Sequence, residues 1–149
     1  MKKIIILFCF ILLSGCGFKP IYLSSETNFS INKIDYQGDL GKTVYNNLKH
    51  YQNKNGKKFN YDLTIISTKN KVITLKDKKG DPSSFRLTII VKNSIYEKNK
   101  LKAQREYKES FEYNNSSKKF ELSRYESEIE NSMLNKISEE IVLSLYEIQ

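Results

Sequence analysis

The spacing of apolar positions changes along the chain, and each change marks an element. Residues 31–37 read as a first strand, with Ile34 and Tyr36 on one face and a stop at Gly38. Leu40, Val44, Leu48 and Tyr51 then recur at i, i+4, i+8 and i+11, which predicts a helix of about three turns with Asp39 at its N-cap. The turn residues of "NKNGKK", 53–58, end it. Phe59, Tyr61, Leu63 and Ile65 alternate with Asn60, Asp62 and Thr64, the period of a half-buried strand. Residues 69–71 form a basic break, after which residues 72–75 either continue that strand or bend away. "KDKKGDPSS", 76–84, is a charged loop built around Gly and Pro.

Beyond the loop the period of two is clean. Phe85, Leu87, Ile89, Val91 and Ile95 share one face, and Arg86, Thr88, Lys92 and Ser94 the other. "EKNK", 97–100, is a hairpin turn. Leu101, Ala103, Tyr107, Phe111 and Tyr113 then oppose Lys102, Gln104, Glu106, Lys108 and Glu112, so the two strands pair into a sheet with one apolar side. After "NNSSKK", 114–119, the residues Leu122, Tyr125, Ile129, Met133, Ile137, Ile141, Leu145 and Ile148 fall three or four apart. They predict an amphipathic helix of about seven turns. The order β-α-β-β-β-α implies an α+β fold: a two-layer sandwich in which two helices cover one face of a small mixed sheet. The length suits one domain, assigned to residues 31–149.

The first residues follow a different logic. Lys2 and Lys3 precede ten unbroken apolar residues, 4–13, too short for a bilayer span of about 20 residues but right for a secretory leader. Leu13, Ser14, Gly15 and Cys16 follow, the form of a bacterial lipobox: small side chains before the scissile bond, then a thiol that can be alkylated to a diacylglyceryl thioether. Residues 1–15 are thus expected to be a lipoprotein signal peptide, Cys16 the lipidation site, and residues 16–30 a polar lipidated tether. Cys9 leaves with the leader, so no disulfide within the chain and no cysteine-based metal site is expected. Gly17 after the cysteine, in place of Asp, implies passage to the outer membrane, with the domain facing the periplasm.

Composition narrows the partners. The chain carries 22 Lys and 3 Arg and a formal charge of +8, which becomes +6 when Lys2 and Lys3 leave with the signal peptide. A basic balance suits phosphate-bearing partners. Nucleic acid is excluded for an exported lipoprotein, which leaves anionic lipid. Lys69, Lys71, Lys76, Lys78, Lys79 and Arg86 crowd around the 76–84 loop, offset by Asp77 and Asp81. They are the candidate contacts for lipopolysaccharide phosphates, expected to gather at one end of the sheet.

Cys16-Gly17-Phe18-Lys19-Pro20-Ile21-Tyr22 resembles the C-G-F-[RK]-P-[LI]-Y start of mature lipopolysaccharide-assembly lipoproteins, the LptE family in its alphaproteobacterial form. The β-α-β-β-β-α order and the closing helix are similar to that family in pattern. The resemblance implies a non-enzymatic outer-membrane lipoprotein of the lipopolysaccharide transport machinery. It would act as plug and assembly partner of the large LptD-type β-barrel and would bind lipopolysaccharide. No cofactor or metal is implied.

Two other classes are weighed against this reading. An enzyme would have to use His50, the pair Asp62 and Asp77, or the pair Glu106 and Glu109, all set among lysines on expected surfaces. No nucleophile elbow, HExxH or glycine-rich phosphate loop occurs. A periplasmic lipid-binding or carrier lipoprotein would need an enclosed apolar cavity.

Overall fold

A computed structural model of the protein describes residues 27–149. The signal peptide, Cys16, most of the tether and the Gly17-to-Tyr22 motif lie outside the described residues. The elements are β1 (Phe29–Gln37), α1 (Gly41–Leu48) followed by a 3-10 turn (Lys49–Tyr51), β2 (Phe59–Lys76), β3 (Pro82–Glu97), β4 (Lys100–Asn114) and α2 (Lys119–Glu147). The sheet order is β1-β2-β3-β4, with β1 parallel to β2 and the other pairs antiparallel. The fold is α+β: a mixed sheet with two helices packed on one face, as the patterning predicts.

β1 starts at Phe29, two residues inside the expected tether, and Thr27, Phe29 and Ser30 are all buried. Its register slips between Ile31 and Lys33, where Asn32 is an extra residue. The bulge changes the phase of the strand, so Ile31 and Ile34 both reach the core although they are an odd number apart. Tyr36 stays 42% exposed and leans on Tyr45, ring centroids 5.6 Å apart. The chain then turns at Gly38, whose φ of +89° and tight seat explain the residue: a Cβ there would meet the Ser67 carbonyl oxygen at 2.1 Å.

α1 is capped differently from the expectation. Leu40, not Asp39, occupies the N-cap position, and no side chain caps the helix. The Gly41 amide instead donates to the Gly38 carbonyl. The apolar positions behave as read: Leu40, Val44, Leu48 and Tyr51 are buried at 4% exposure or less.

The basic segment at 69–71 does not break β2, which runs on to Lys76 as one strand of 18 residues. Lysine is a poor strand former, but here each residue has a partner in β3, from Lys69↔Ile89 to Ile73↔Phe85. Cross-strand pairing outweighs intrinsic propensity. The β3–β4 turn is the two-residue Lys98-Asn99, with φ of 49° and 63°, the geometry of a type I′ hairpin.

α2 packs its seam on the sheet, with Leu122, Ile129, Met133, Ile137, Ile141 and Leu145 in one cluster with Leu87, Ile89 and Val91. Leu134 and Val142, off that seam, are buried as well, because α2 touches α1 in addition to the sheet. Asn47 bridges the two helices, donating to Asn135 Oδ1 at 3.0 Å and Ser138 Oγ at 3.1 Å. Leu101 and Phe111, expected on the buried side of β4, are 57% and 41% exposed. β4 is an edge strand with a register slip at Lys102, which turns Leu101 to the side of its partner Tyr96, away from the helices. Its middle reaches α2 through charge: Arg105 to Glu147 at 2.9 Å and Glu109 to Lys136 at 2.7 Å. Asn93 is the exception inside the core, fully buried between Val91 and Ile95 with neither amide atom paired among the described residues.

Candidate functional site

Two surfaces stand out from this frame: a hairpin that outruns the rest of the sheet, and a sheet face without helices. β1 stops pairing at Gln37↔Ile66, whereas β2 and β3 continue together to Lys76↔Pro82. The turn between them is tied by Asp77, whose Oδ1 accepts from the amides of Lys79 (2.8 Å) and Asp81 (2.9 Å), with Gly80 at a φ of +89°. Lys76, Lys78 and Lys79 are exposed at this tip. Val72, Ile73 and Leu75 precede it and are 41%, 47% and 62% exposed. Basic and apolar groups therefore lie together at the far end of the hairpin.

The six candidate cations do not form one cluster. Lys69 and Lys71 face the helical layer, where Glu130 and Glu126 of α2 receive them at 2.8 and 2.6 Å. The Lys71 ammonium also sits over the Phe85 ring, 4.3 Å from its centroid. Burial works against its charge, but hydrogen bonds to Glu126 and Tyr113 outweigh that and hold its pKa above the ordinary lysine value. The same contacts act in reverse on Glu126. Burial acts to raise its pKa, but the bonds from Lys71 and the Tyr113 hydroxyl outweigh that and leave it depressed. Arg86 points from the opposite face and pairs with Glu112 across the β3–β4 ladder. Only Lys76, Lys78 and Lys79 share one setting. The partners of Lys69 and Lys71 come 61 and 55 residues later in the chain, so charge density along the sequence could not separate paired lysines from free ones.

The open face is paved with polar side chains. Thr64, Ser94 and Gln104 form one cross-strand row, and Asn70, Thr88 and Ser110 another. The Thr88 and Ser110 hydroxyls are hydrogen-bonded at 2.9 Å, and Lys92 pairs with Glu106 at 3.4 Å. Ile66, Val72 and Leu101, 42%, 41% and 57% exposed, and the half-buried Ile90 are apolar interruptions. The alternation in β3 and β4 announced this face, and among the described residues no helix covers it.

The residues considered for acid–base work are not brought together. Asp62 lies near the start of β2 and Asp77 beyond its end, roughly 50 Å apart at about 3.3 Å per strand residue. Glu106 and Glu109 leave β4 on opposite faces, toward Lys92 and Lys136. His50 stacks against Tyr51, centroids 4.1 Å apart, and burial together with the charge of Lys54 lowers its pKa. It borders an open cleft of about 500 Å³ between the helices, also lined by Asn46, Asn47, Asn135, Ser138 and Glu139. Among the described residues no group of three or more His, Cys, Asp or Glu is placed to hold a metal ion.

The architecture defines a class: a two-layer α+β domain of the kind that bacterial lipoproteins carry. Comparison with protein-family models and with curated proteins gives no match. Solved structures do match. Rare lipoprotein B from Shewanella oneidensis superposes with a TM-score of 0.58 at 13% identity, covering 78% of this chain and 95% of that one. A minor lipoprotein from Acinetobacter baumannii gives 0.56 at 16% identity, over 75% and 87% of the two chains. Lipoprotein B from Nitrosomonas europaea gives 0.55 at 13% identity, over 83% and 88%. At these identities the likeness establishes the fold.

Proposed function

We propose that this protein is a lipid-anchored, non-enzymatic component of the lipopolysaccharide transport and assembly machinery. It is held at the outer membrane through acylated Cys16, faces the periplasm, and serves as plug and assembly partner of an LptD-type β-barrel. One observation carries the reading: a domain whose fold is met in bacterial lipoproteins leaves one sheet face open and mostly polar among the described residues. The lumen of a large outer-membrane barrel is itself polar and wet, so such a face can line it without burying unpaired groups. The sequence motif at residues 16–22 points to the same machinery. A carrier would hold acyl chains in an enclosed apolar cavity, whereas the cleft between the helices is open and bordered by amides. Affinity purification of the acylated protein from its native envelope is the test. A large barrel of the lipopolysaccharide translocon is expected to copurify in constant proportion; recovery of the protein with no barrel would overturn the plug role.

Lipopolysaccharide contact is assigned to the hairpin tip, where ammonium groups adjoin exposed apolar side chains, a match for phosphates beside acyl chains. Lys76, Lys78 and Lys79 are exposed and make no ion pair among the described residues, so their ammonium groups can turn toward an irregular anionic surface. Binding is expected to weaken several-fold when all three become Gln, and to weaken with salt as the Debye length falls from about 10 Å at 0.1 M to about 3 Å at 1 M. Binding measured by calorimetry that ignored both changes would remove the tip as the contact.

A further inference from the structure

The end of the sheet opposite the hairpin gathers lysines that are scattered in the sequence. β1 begins there at Phe29, which pairs with Phe59 at the start of β2; β3 ends there at Glu97 and β4 begins at Lys100. Lys57 and Lys58 of the β2 approach thus come to the same end as Lys98 and Lys100 of the β3–β4 turn, and Lys54 lies on the outer side of β1, where Gln52 bridges Ile31. Four strands span only about 15 Å at this edge. None of the five lysines forms an ion pair among the described residues. Two carboxylates of the same end are engaged elsewhere, Glu97 by Lys102 and Glu147 by Arg105, each at 2.9 Å. Asp62 lies within the field of Lys33.

This end is also where the chain enters β1, and it is closely packed. The Phe29 ring is enclosed by Tyr51, Tyr61 and Tyr146, with centroids at 5.7, 6.2 and 5.2 Å. The Lys54 amide donates to Ser30 Oγ at 2.8 Å, and the Asn53 amide to the Ile31 carbonyl at 3.0 Å. The basic loop and the first strand therefore hold one geometry. The segment between Cys16 and Thr27 can reach at most about 40 Å even fully extended.

We propose that this lysine collar is a docking surface for the head groups of anionic phospholipids, a reading that rests on Cys16 being the membrane anchor. An anchored chain keeps the collar within reach of the bilayer surface, where juxtamembrane lysines are drawn to a negative leaflet. The collar then meets the leaflet that holds the acyl chains, and the β2–β3 hairpin is the part of the domain farthest from that contact. β2, 18 residues long, places the hairpin lysines roughly 55 Å from the collar, far beyond a Debye length of about 8 Å, so the two basic groups act independently.

The test uses the mature chain with Cys16→Ser, so that no acyl chain contributes, and vesicles of neutral phosphatidylcholine with or without 30% (about one lipid in three) phosphatidylglycerol. Sedimentation is expected to show binding to the anionic vesicles only, reversed by salt. Lys57→Gln, Lys58→Gln and Lys98→Gln together should reduce the partition coefficient about a hundredfold, at about fivefold per lysine. Lys108→Gln, Lys118→Gln and Lys119→Gln remove the same net charge and should leave it within about twofold, because those exposed residues lie far from the collar and outside the hairpin tip. Circular dichroism checks that both variants fold. Equal losses would mean that net charge alone is sensed, and a loss confined to the second variant would put another surface on the membrane. Either result, or no binding to anionic vesicles, overturns the proposal. Fatty-acid labelling of the wild-type protein tests the anchor separately, so failure of the one is distinguishable from failure of the other.

Discussion

Cys16→Ser is expected to abolish incorporation of labelled fatty acid, the largest change that a single atom in this chain can produce. The oxygen that replaces sulfur is not alkylated, so neither the thioether nor the acyl chains that depend on it can form. Each buried methylene contributes about 0.8 kcal/mol to membrane partition, and two or three chains together make attachment stable where one would be reversible. The variant should accumulate as uncleaved precursor, still held in the membrane by the apolar run at 4–13, or as soluble protein where another peptidase cuts, which a salt or carbonate wash should release. Equal label in wild type and variant would show that the apolar run at 4–13 and the following Leu-Ser-Gly-Cys are an ordinary leader with an incidental cysteine.

The second large effect is on stability. Ile137 is fully buried at the centre of α2, inside the cluster shared with Leu87, Ile89 and Val91. Ile137→Ala removes three carbons from a packed interior that can relax only in part, at a cost of about 2–5 kcal/mol. For a domain of this size that corresponds to roughly 10 °C or more in melting temperature. Two positions along the same helix, Glu139 is exposed at the rim of the interhelical cleft, and Glu139→Ala should change stability by no more than about 0.5 kcal/mol. Thermal unfolding followed by circular dichroism compares them directly. Similar melting temperatures for the two variants would contradict the assigned faces of α2.

Much of this architecture is legible in the chain because its strands and helices carry their own periods. The alternation from Phe85 to Ile95 and the three- and four-residue steps from Leu122 to Ile148 depend only on which residues are apolar. Burying one face of each is what drives folding. Even the Lys98-Asn99 turn is local, since Asn tolerates the positive φ that a two-residue hairpin needs.

Other features depend on residues that meet only after the chain has closed. Leu134 and Val142 fall outside the α2 seam in sequence, and become core because α1 lies against that side. The bulge at Asn32 is a matter of register between β1 and β2, invisible to a pattern read along one strand.

Charge shows the division most clearly. The sequence by itself determined that the protein is basic and that its elements follow the order β-α-β-β-β-α. Each of these is a property of neighbours in the chain. Only the tertiary structure decided what the lysines do. Lys69 and Lys71 are consumed by glutamates of a helix more than fifty residues away, Lys76, Lys78 and Lys79 are left at a free tip, and Lys57, Lys58, Lys98 and Lys100 come to the other end. An ion pair acts over a few ångströms in space and is screened beyond about 8 Å, so it depends on proximity after folding and not on spacing along the sequence.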